Sequence, residues 1–187
     1  MANTPILRFP ATAKESIPRC LLRIYESLAA SETNEVTVEA IGGDAVTLML
    51  RLVSKVWAHN YRPVTFCSET VKMNGRYALL CKVTISSDKT RQASRLLSPN
   101  VPAPPHFNIV PSRDRPVGEQ VQALKTLLDN RASDDRVTIF AYGNQLGLAL
   151  IVFHRIAFSG PYKIRLCESD KGTQIYILLS TALPAHT

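Results

Sequence analysis

The chain has 187 residues, of which 45% are hydrophobic and 20% are charged. This composition supports one large or two small packed domains and excludes a wholly disordered chain. The formal net charge of +7 favours a polyanionic partner, because lysines and arginines that neutralise phosphates release counterions. The first hundred residues carry 13 basic and 8 acidic side chains and the remainder 9 and 7, so most of the excess lies in the first half.

The chain has four cysteines, Cys20, Cys67, Cys81 and Cys167. None forms a C-x-x-C pair or has a histidine at zinc-ligand spacing, so we expect no metal site. They lie in apolar runs, which predicts buried thiols in a reducing, intracellular compartment; cytoplasm and mitochondrion both stay open. The longest apolar stretch, residues 146–157, is too short to cross a bilayer, and we expect no membrane partner.

The predicted elements occur twice along the chain. A short strand opens each half, at residues 6–9 and 107–110, and a helix with one apolar stripe follows. The two stripes are Ile17, Leu21, Ile24 and Leu28, then Val117, Val121, Leu124 and Leu128. The same pattern at an offset of 100 predicts an internal repeat.

A second strand follows each predicted helix. It reads VTVEAIG at residues 36–42 and VTIFAYG at residues 137–143, and both heptapeptides alternate as a strand does. Each ends in glycine and leads into a second helix, at 45–59 and 145–158, which Asp44 or Asn144 is placed to cap.

Two further strands close each half. They are predicted at 64–72 and 76–86, joined by Asn74-Gly75, and at 162–168 and 173–179, joined by Lys171-Gly172. A proline-rich stretch, 98–106, is predicted to be the linker, and 89–97 a short basic helix or tail.

We therefore predict an α+β protein with two β-α-β-α-β-β units. The first covers residues 1–97, the linker 98–106, and the second 107–187. The second helix of the second unit has almost no polar face and must be covered on all sides. This predicts a pseudo-dimer in which the first unit covers it, although another subunit would serve equally well.

This element order, with a second strand V-x-[VI]-x-A-x-G that runs straight into a helix, resembles the Alba family over nearly the whole chain. The topology is also similar to that of the C-terminal domain of bacterial translation initiation factor three. The Alba resemblance implies a small basic protein that binds RNA or DNA through three elements: the first loop, the end of the second strand and the hairpin arm. The chain lacks the arginine that Alba proteins commonly carry after the second strand, and it has no Arg-Gly-rich tail.

The candidate RNA-binding residues follow from these elements and from a basic stripe on the second helix of the first unit. The resemblance points to Arg8, Lys14, Arg113 and Arg115 in the first loops and to Lys72, Asn74, Arg76 and Lys171 at the hairpins. The stripe adds Arg51 and Lys55, with His59 one turn further on. The stripe could instead be an ordinary solvated helix face, and the hairpin residues an ordinary polar turn.

Phe140 and Tyr142 alternate with the core residues of their strand, where the first unit has Glu39 and Ile41. Such a pair either stacks bases or packs beneath a helix.

The sequence contains no recognisable catalytic motif and no paired carboxylates, so we expect neither an enzyme nor a cofactor. We predict a non-catalytic RNA-binding protein with protein partners in a ribonucleoprotein complex, and leave DNA binding open. The alternative is a scaffold or assembly subunit that no longer binds nucleic acid.

Overall fold

A computed structural model of the chain describes residues 4–8, 16–60, 64–88, 107–130 and 137–180. The chain divides into two compact units, Met1–Leu97 and Ser98–Thr187. The predicted basic segment at 89–97, the linker at 98–106 and the candidate residue Lys14 lie outside the described residues.

The first unit has the element order β-α-β-α-β-β. Its elements are β1 (Ile6–Arg8), α1 (Ile17–Ala29), β2 (Glu35–Ile41), α2 (Gly43–Asn60), β3 (Val64–Met73) and β4 (Arg76–Ser86). The sheet order is β1-β2-β4-β3, with β1 parallel to β2 and the other neighbours antiparallel. The strand β2 is therefore central, and β3 forms an edge.

The second unit has the same element order. Its elements are β5 (Phe107–Ile109), α3 (Val117–Asn130), β6 (Val137–Tyr142), α4 (Leu146–Arg155), β7 (Tyr162–Ser169) and β8 (Gly172–Leu179). The sheet order is β5-β6-β8-β7, again with one parallel pair followed by antiparallel pairs. Both halves are thus mixed α+β, with equivalent strands in equivalent places.

The central strand of each sheet separates two faces. In β2, Val36, Val38 and Ala40 are buried, and α1 and α2 contact this strand. In β6, Val137, Ile139 and Ala141 are buried in the same way, beneath α4. Because successive side chains of a strand point to opposite sides, the alternate residues lie on the other face of each sheet. Because the described helices contact the buried side of the central strand, we call this other side the helix-free face of each unit, with reference to the described residues.

A glycine forms the corner between the central strand and the following helix. Gly42 has φ +87° and Gly143 has φ +62°, a left-handed conformation that glycine adopts without steric cost. Asp44 lies within the first turn of α2, near the helix start as predicted, whereas Asn144 lies in a turn of 3₁₀ helix, Gly143–Gln145, that precedes α4. A glycine corner thus turns the chain from the central strand towards the second helix in both units.

Cys67 departs from the expectation of buried thiols. Cys20, Cys81 and Cys167 are buried, but Cys67 is exposed. It lies on the edge strand β3 opposite Lys82, on the helix-free face. The apolar run around Cys67 therefore did not lead to burial, because the edge strand β3 has a neighbouring strand on one side only.

The second hairpin also differs in detail from its prediction. The turn residues are Asp170 and Lys171, and β8 begins at Gly172, which has φ +95°. The Ser169 hydroxyl stabilises the turn by donating to the Gly172 carbonyl at 3.1 Å and accepting from the Lys171 amide at 3.2 Å. Lys171 is thus at the exposed tip.

The helix α4 is almost entirely apolar, as predicted, but shorter. Leu146, Leu150 and Phe153 are buried in the second unit, whereas Leu148 and Ile151 are half-buried. Among the residues that the structure describes, no helix combines the length and the apolar character that a membrane crossing requires.

Equivalent threonines of the two central strands give a matched stability test. Thr37 shares a hydrogen bond of 3.0 Å with Thr84, whereas Thr138 is fully buried and its Oγ1 has no partner among the described residues. Since an unsatisfied buried hydroxyl is costly, we expect Thr138→Val to raise the free energy of unfolding by about 1 kcal/mol. Thr37→Val should lower it by about 0.5 kcal/mol. Urea unfolding measures both, and destabilisation by Thr138→Val would contradict the expectation.

Candidate nucleic-acid interface

A two-stranded arm extends from the sheet of the first unit. Pairing between β2 and β4 ends at Ile41 and Leu80, but β3 and β4 continue from the Thr70–Leu79 pair to the Met73–Arg76 pair. Residues 70–79 therefore form strand pairs only with each other, and the carbonyl of Leu79, at the base of the arm, also accepts a hydrogen bond from the Gly42 amide at 2.9 Å. The equivalent hairpin of the second unit continues past β6 by only two pairs.

The tip of this arm is a tight turn at Asn74-Gly75. Asn74 has φ +50° and Gly75 has φ +77°, the two left-handed positions of a type I′ hairpin turn. The candidate residues Lys72, Asn74 and Arg76 are all exposed here. Residues 70–79 contain two cations and no carboxylate, so the arm has a positive tip.

Tyr77 also belongs to the arm, although the sequence analysis did not select it. It pairs with Lys72 and is 71% exposed, more than any other large hydrophobic side chain among the described residues. The predicted turn at Asn74-Gly75 already implies that Lys72 pairs with Tyr77, so the place of Tyr77 in the arm could have been found from the sequence. The arm therefore presents an aromatic ring beside its cations.

The candidate residue Arg8, the last residue of β1, belongs to a cluster of charges on the helix-free face rather than to the arm. Its Nε donates to Glu39 Oε2 at 2.9 Å, and Lys82 Nζ lies 3.5 Å from Glu39 Oε1. The Arg8 side chain is 77% exposed and that of Glu39 only 12%. The hydrogen bond and positive charge of Arg8, with the charge of Lys82, outweigh desolvation and lower the pKa of Glu39. The negative charge of Glu39 thus offsets part of the positive charge of Arg8 and Lys82.

The loop before α3 is held by Gln120, which the sequence analysis also missed. Gln120 is buried, and its Oε1 accepts from the Ser112 amide at 2.8 Å. Its Nε2 donates to the carbonyls of Ser112 and Arg115, each at 2.8 Å. One side chain therefore satisfies three backbone groups of this loop. A glutamine in a helical stripe gives no sequence signal of this role.

The loop that Gln120 holds carries two candidate cations. Arg113 Nη2 donates to the Asn144 carbonyl at 2.7 Å, so this side chain joins the loop to the turn after β6. Arg115 is exposed. The structure therefore gives Arg113 a structural contact and leaves Arg115 as the more accessible cation.

The remaining candidates are dispersed. Arg51 is exposed and Lys55 half-buried along α2, and Lys171 is at the exposed tip of the second hairpin. The side chain of His59 lies outside the described residues. The structure gathers Lys72, Asn74 and Arg76 into one place and does not bring Arg51 and Lys55 into that group.

The aromatic pair of β6 lies on the helix-free face of the second unit. Phe140 and Tyr142 alternate with the residues of β6 that are buried beneath α4, so α4 does not cover them. Tyr176 of the neighbouring strand β8 lies directly opposite Phe140. The three rings form one group, which we call the aromatic platform.

Among the described residues, histidine, cysteine and acidic side chains nowhere gather in a group of three that could hold a metal ion. Neither the models of known protein families nor the curated proteins give a match to the sequence. The resemblance to the Alba family therefore rests on the residues and element order alone.

The charge cluster predicts a pH-dependent contribution to stability. Glu39→Gln should lower the free energy of unfolding at neutral pH by about 0.5–1 kcal/mol, the range for partly exposed ion pairs. Because the pKa of Glu39 is lowered in the folded state, its contribution is fully present above the ordinary value of 4.5 and is lost as the pH falls through the lowered value.

Urea unfolding at neutral pH and at about pH 2–3 measures this difference. Glu69→Gln, which removes an exposed carboxylate from β3, is the matched control. A Glu39→Gln difference that is equally large at both pH values would contradict the account.

Proposed function

We propose that this protein binds RNA without catalysing a reaction, and that it grips phosphates chiefly through the arm of the first unit. The observation that carries the proposal is the arm itself: residues 70–79 project beyond the central strand and expose Lys72, Arg76 and Tyr77. Two cations and a ring at the tip of a narrow hairpin are suited to contacts with a phosphate backbone and a neighbouring base.

The fold places other candidate elements near the base of the arm. The strand β1 runs parallel to β2, and the start of β4 extends past the pair between Ile41 and Leu80, where β2 ends. The end of β1, the Gly42 corner and the arm therefore share one end of the sheet. These are the elements through which the Alba resemblance implies nucleic-acid contacts. Lys14 belongs to the same loop by its position in the sequence.

The repeated unit extends the proposal to the whole chain. We infer that the halves are two Alba-like units arranged as a pseudo-dimer, with α4 covered by the first unit, and that the protein acts in an intracellular ribonucleoprotein complex. The net charge of +7 supports a polyanionic ligand. Arg115 and Lys171, both exposed, would provide further phosphate contacts.

Charge reversal in the arm tests the proposal. Lys72→Glu combined with Arg76→Glu should weaken binding of a single-stranded RNA at least tenfold. It should also reduce the slope of log affinity against log salt by about 1.4, because two phosphate contacts are lost and each contributes about 0.7 on a single strand. Fluorescence anisotropy over a series of salt concentrations measures both.

The matched control is Arg19→Glu with Lys125→Glu. It makes the same change in net charge at exposed positions on α1 and α3. An equal loss in the control would show that net charge alone matters, and an affinity independent of salt would contradict the proposed function.

A protein scaffold is the second candidate. The second unit exposes Val110 and Tyr162 by about half and leaves Leu148 and Ile151 of α4 half-buried, which are surfaces that a protein partner could cover. This function predicts dimers or larger species in size-exclusion chromatography with light scattering, whereas internal pairing of the two units predicts a monomer. A monomer that binds RNA would exclude the scaffold as the sole function.

A further inference from the structure

The proposed function relies chiefly on the cations of the first unit's arm, whereas the helix-free face of the second unit carries aromatic rings. We propose that the aromatic platform formed by Phe140, Tyr142 and Tyr176 stacks unpaired bases of single-stranded RNA. The choice of RNA as ligand rests on the proposed function; the site does not share residues with the arm.

The rings of the platform are close enough to act as one surface. The Phe140 centroid lies 5.8 Å from that of Tyr142 and 4.8 Å from that of Tyr176, with an angle of 36° between the ring planes in each pair. Tyr142 is 51% exposed, and Phe140 and Tyr176 are half-buried. Phe140 thus lies between the other two rings, and Tyr142 has the most accessible ring of the three.

The charge around the platform suits an anionic strand. Lys163 is exposed on this face, and Arg165 lies opposite Tyr176 on the neighbouring strand β7. Among the strand residues that the structure describes on this face, these two are cations and none is a carboxylate. A strand whose bases stack on the rings would have cations within reach of its phosphates.

Polar groups at the edge of the platform add hydrogen-bonding capacity. The Tyr176 hydroxyl donates to Gln174 Oε1 at 2.9 Å, and Gln174 lies opposite Tyr142. This bond directs the side-chain amide group of Gln174, which can donate to a base or phosphate oxygen. Burial raises the pKa of Tyr176, which keeps its hydroxyl a donor.

The equivalent positions of the first unit show that the fold does not require rings here. Phe140 opposite Tyr176 corresponds to Glu39 opposite Lys82, and Tyr142 corresponds to Ile41. The same scaffold therefore accommodates an ion pair at one site and an aromatic pair at the other. A packing role common to both units would not need three rings at these positions.

The platform selects unpaired bases for a geometric reason. In a duplex, both faces of each base are already stacked on neighbours, so a protein ring can reach a base face only in a single strand, loop or end. Stacking on an aromatic side chain contributes comparably for every base. The inference is thus a site for single-stranded RNA with little sequence preference.

A fluorescent base analogue gives the direct test. The full-length chain is titrated into a single-stranded RNA of about twelve nucleotides that contains 2-aminopurine, whose fluorescence is quenched by stacking. Native protein should quench the signal and bind the strand more tightly than a duplex of the same sequence. Tyr142→Ala should weaken binding about tenfold and abolish most of the quenching, without a change in the salt slope.

Two variants control for folding. Tyr142→Phe retains the ring and should behave as the native protein, and Ile41→Ala, the equivalent change in the first unit, should leave quenching intact. Native affinity and quenching in Tyr142→Ala, or equal binding of duplex and single strand, would overturn the platform but leave the proposed function standing. If the native chain binds neither RNA, the proposed function fails, and the platform fails with it.

Discussion

The alternation of side chains along the central strand is the constraint on which the rest of the molecule depends. In each unit this strand pairs on both sides and buries every second residue beneath the helices, ending at a glycine that turns the chain into the next helix. A shift of one residue would move Val36 and Val38, or Ile139 and Ala141, onto the helix-free face. The packing of the central strand beneath the helices therefore also determines which of its residues lie on the opposite face, where a ligand can contact them.

This constraint leaves the helix-free faces open to divergence. The buried residues of β2 and β6 are alike, but the alternate residues differ in kind: Glu39 joins Arg8 and Lys82 in a charge cluster, whereas Phe140 joins Tyr176 in a ring pair. The arm differs as well, since only the first unit carries a long one. Two units of one topology thus present different chemistry: a charge cluster and a long cationic arm in the first, and a group of three rings in the second.

Much of the fold could be predicted from the sequence because its signals are local. Apolar spacing indicates a helix or strand, and Asn74-Gly75 specifies a turn whose left-handed φ values few other residues adopt. Features that depend on the order of strands in the sheet, or on how a loop folds back, could not be predicted from such local signals. Cys67 is exposed because β3 is an edge, and Gln120 is buried because the loop immediately before its helix folds back over it. Alternation identified Phe140 and Tyr142 as partners on one face, but only the position of α4 shows which face that is.

Photochemical crosslinking of RNA to the protein in cell extract, followed by mass spectrometry of the attached peptides, tests the central claim most directly. Uracil crosslinks readily to aromatic side chains in contact with it. The account predicts attachment within residues 70–79 and on the peptides that contain Tyr142 and Tyr176. Attachment confined to the outer surfaces of α1 and α3, or an absence of attached RNA under conditions in which a known RNA-binding protein is labelled, would contradict it.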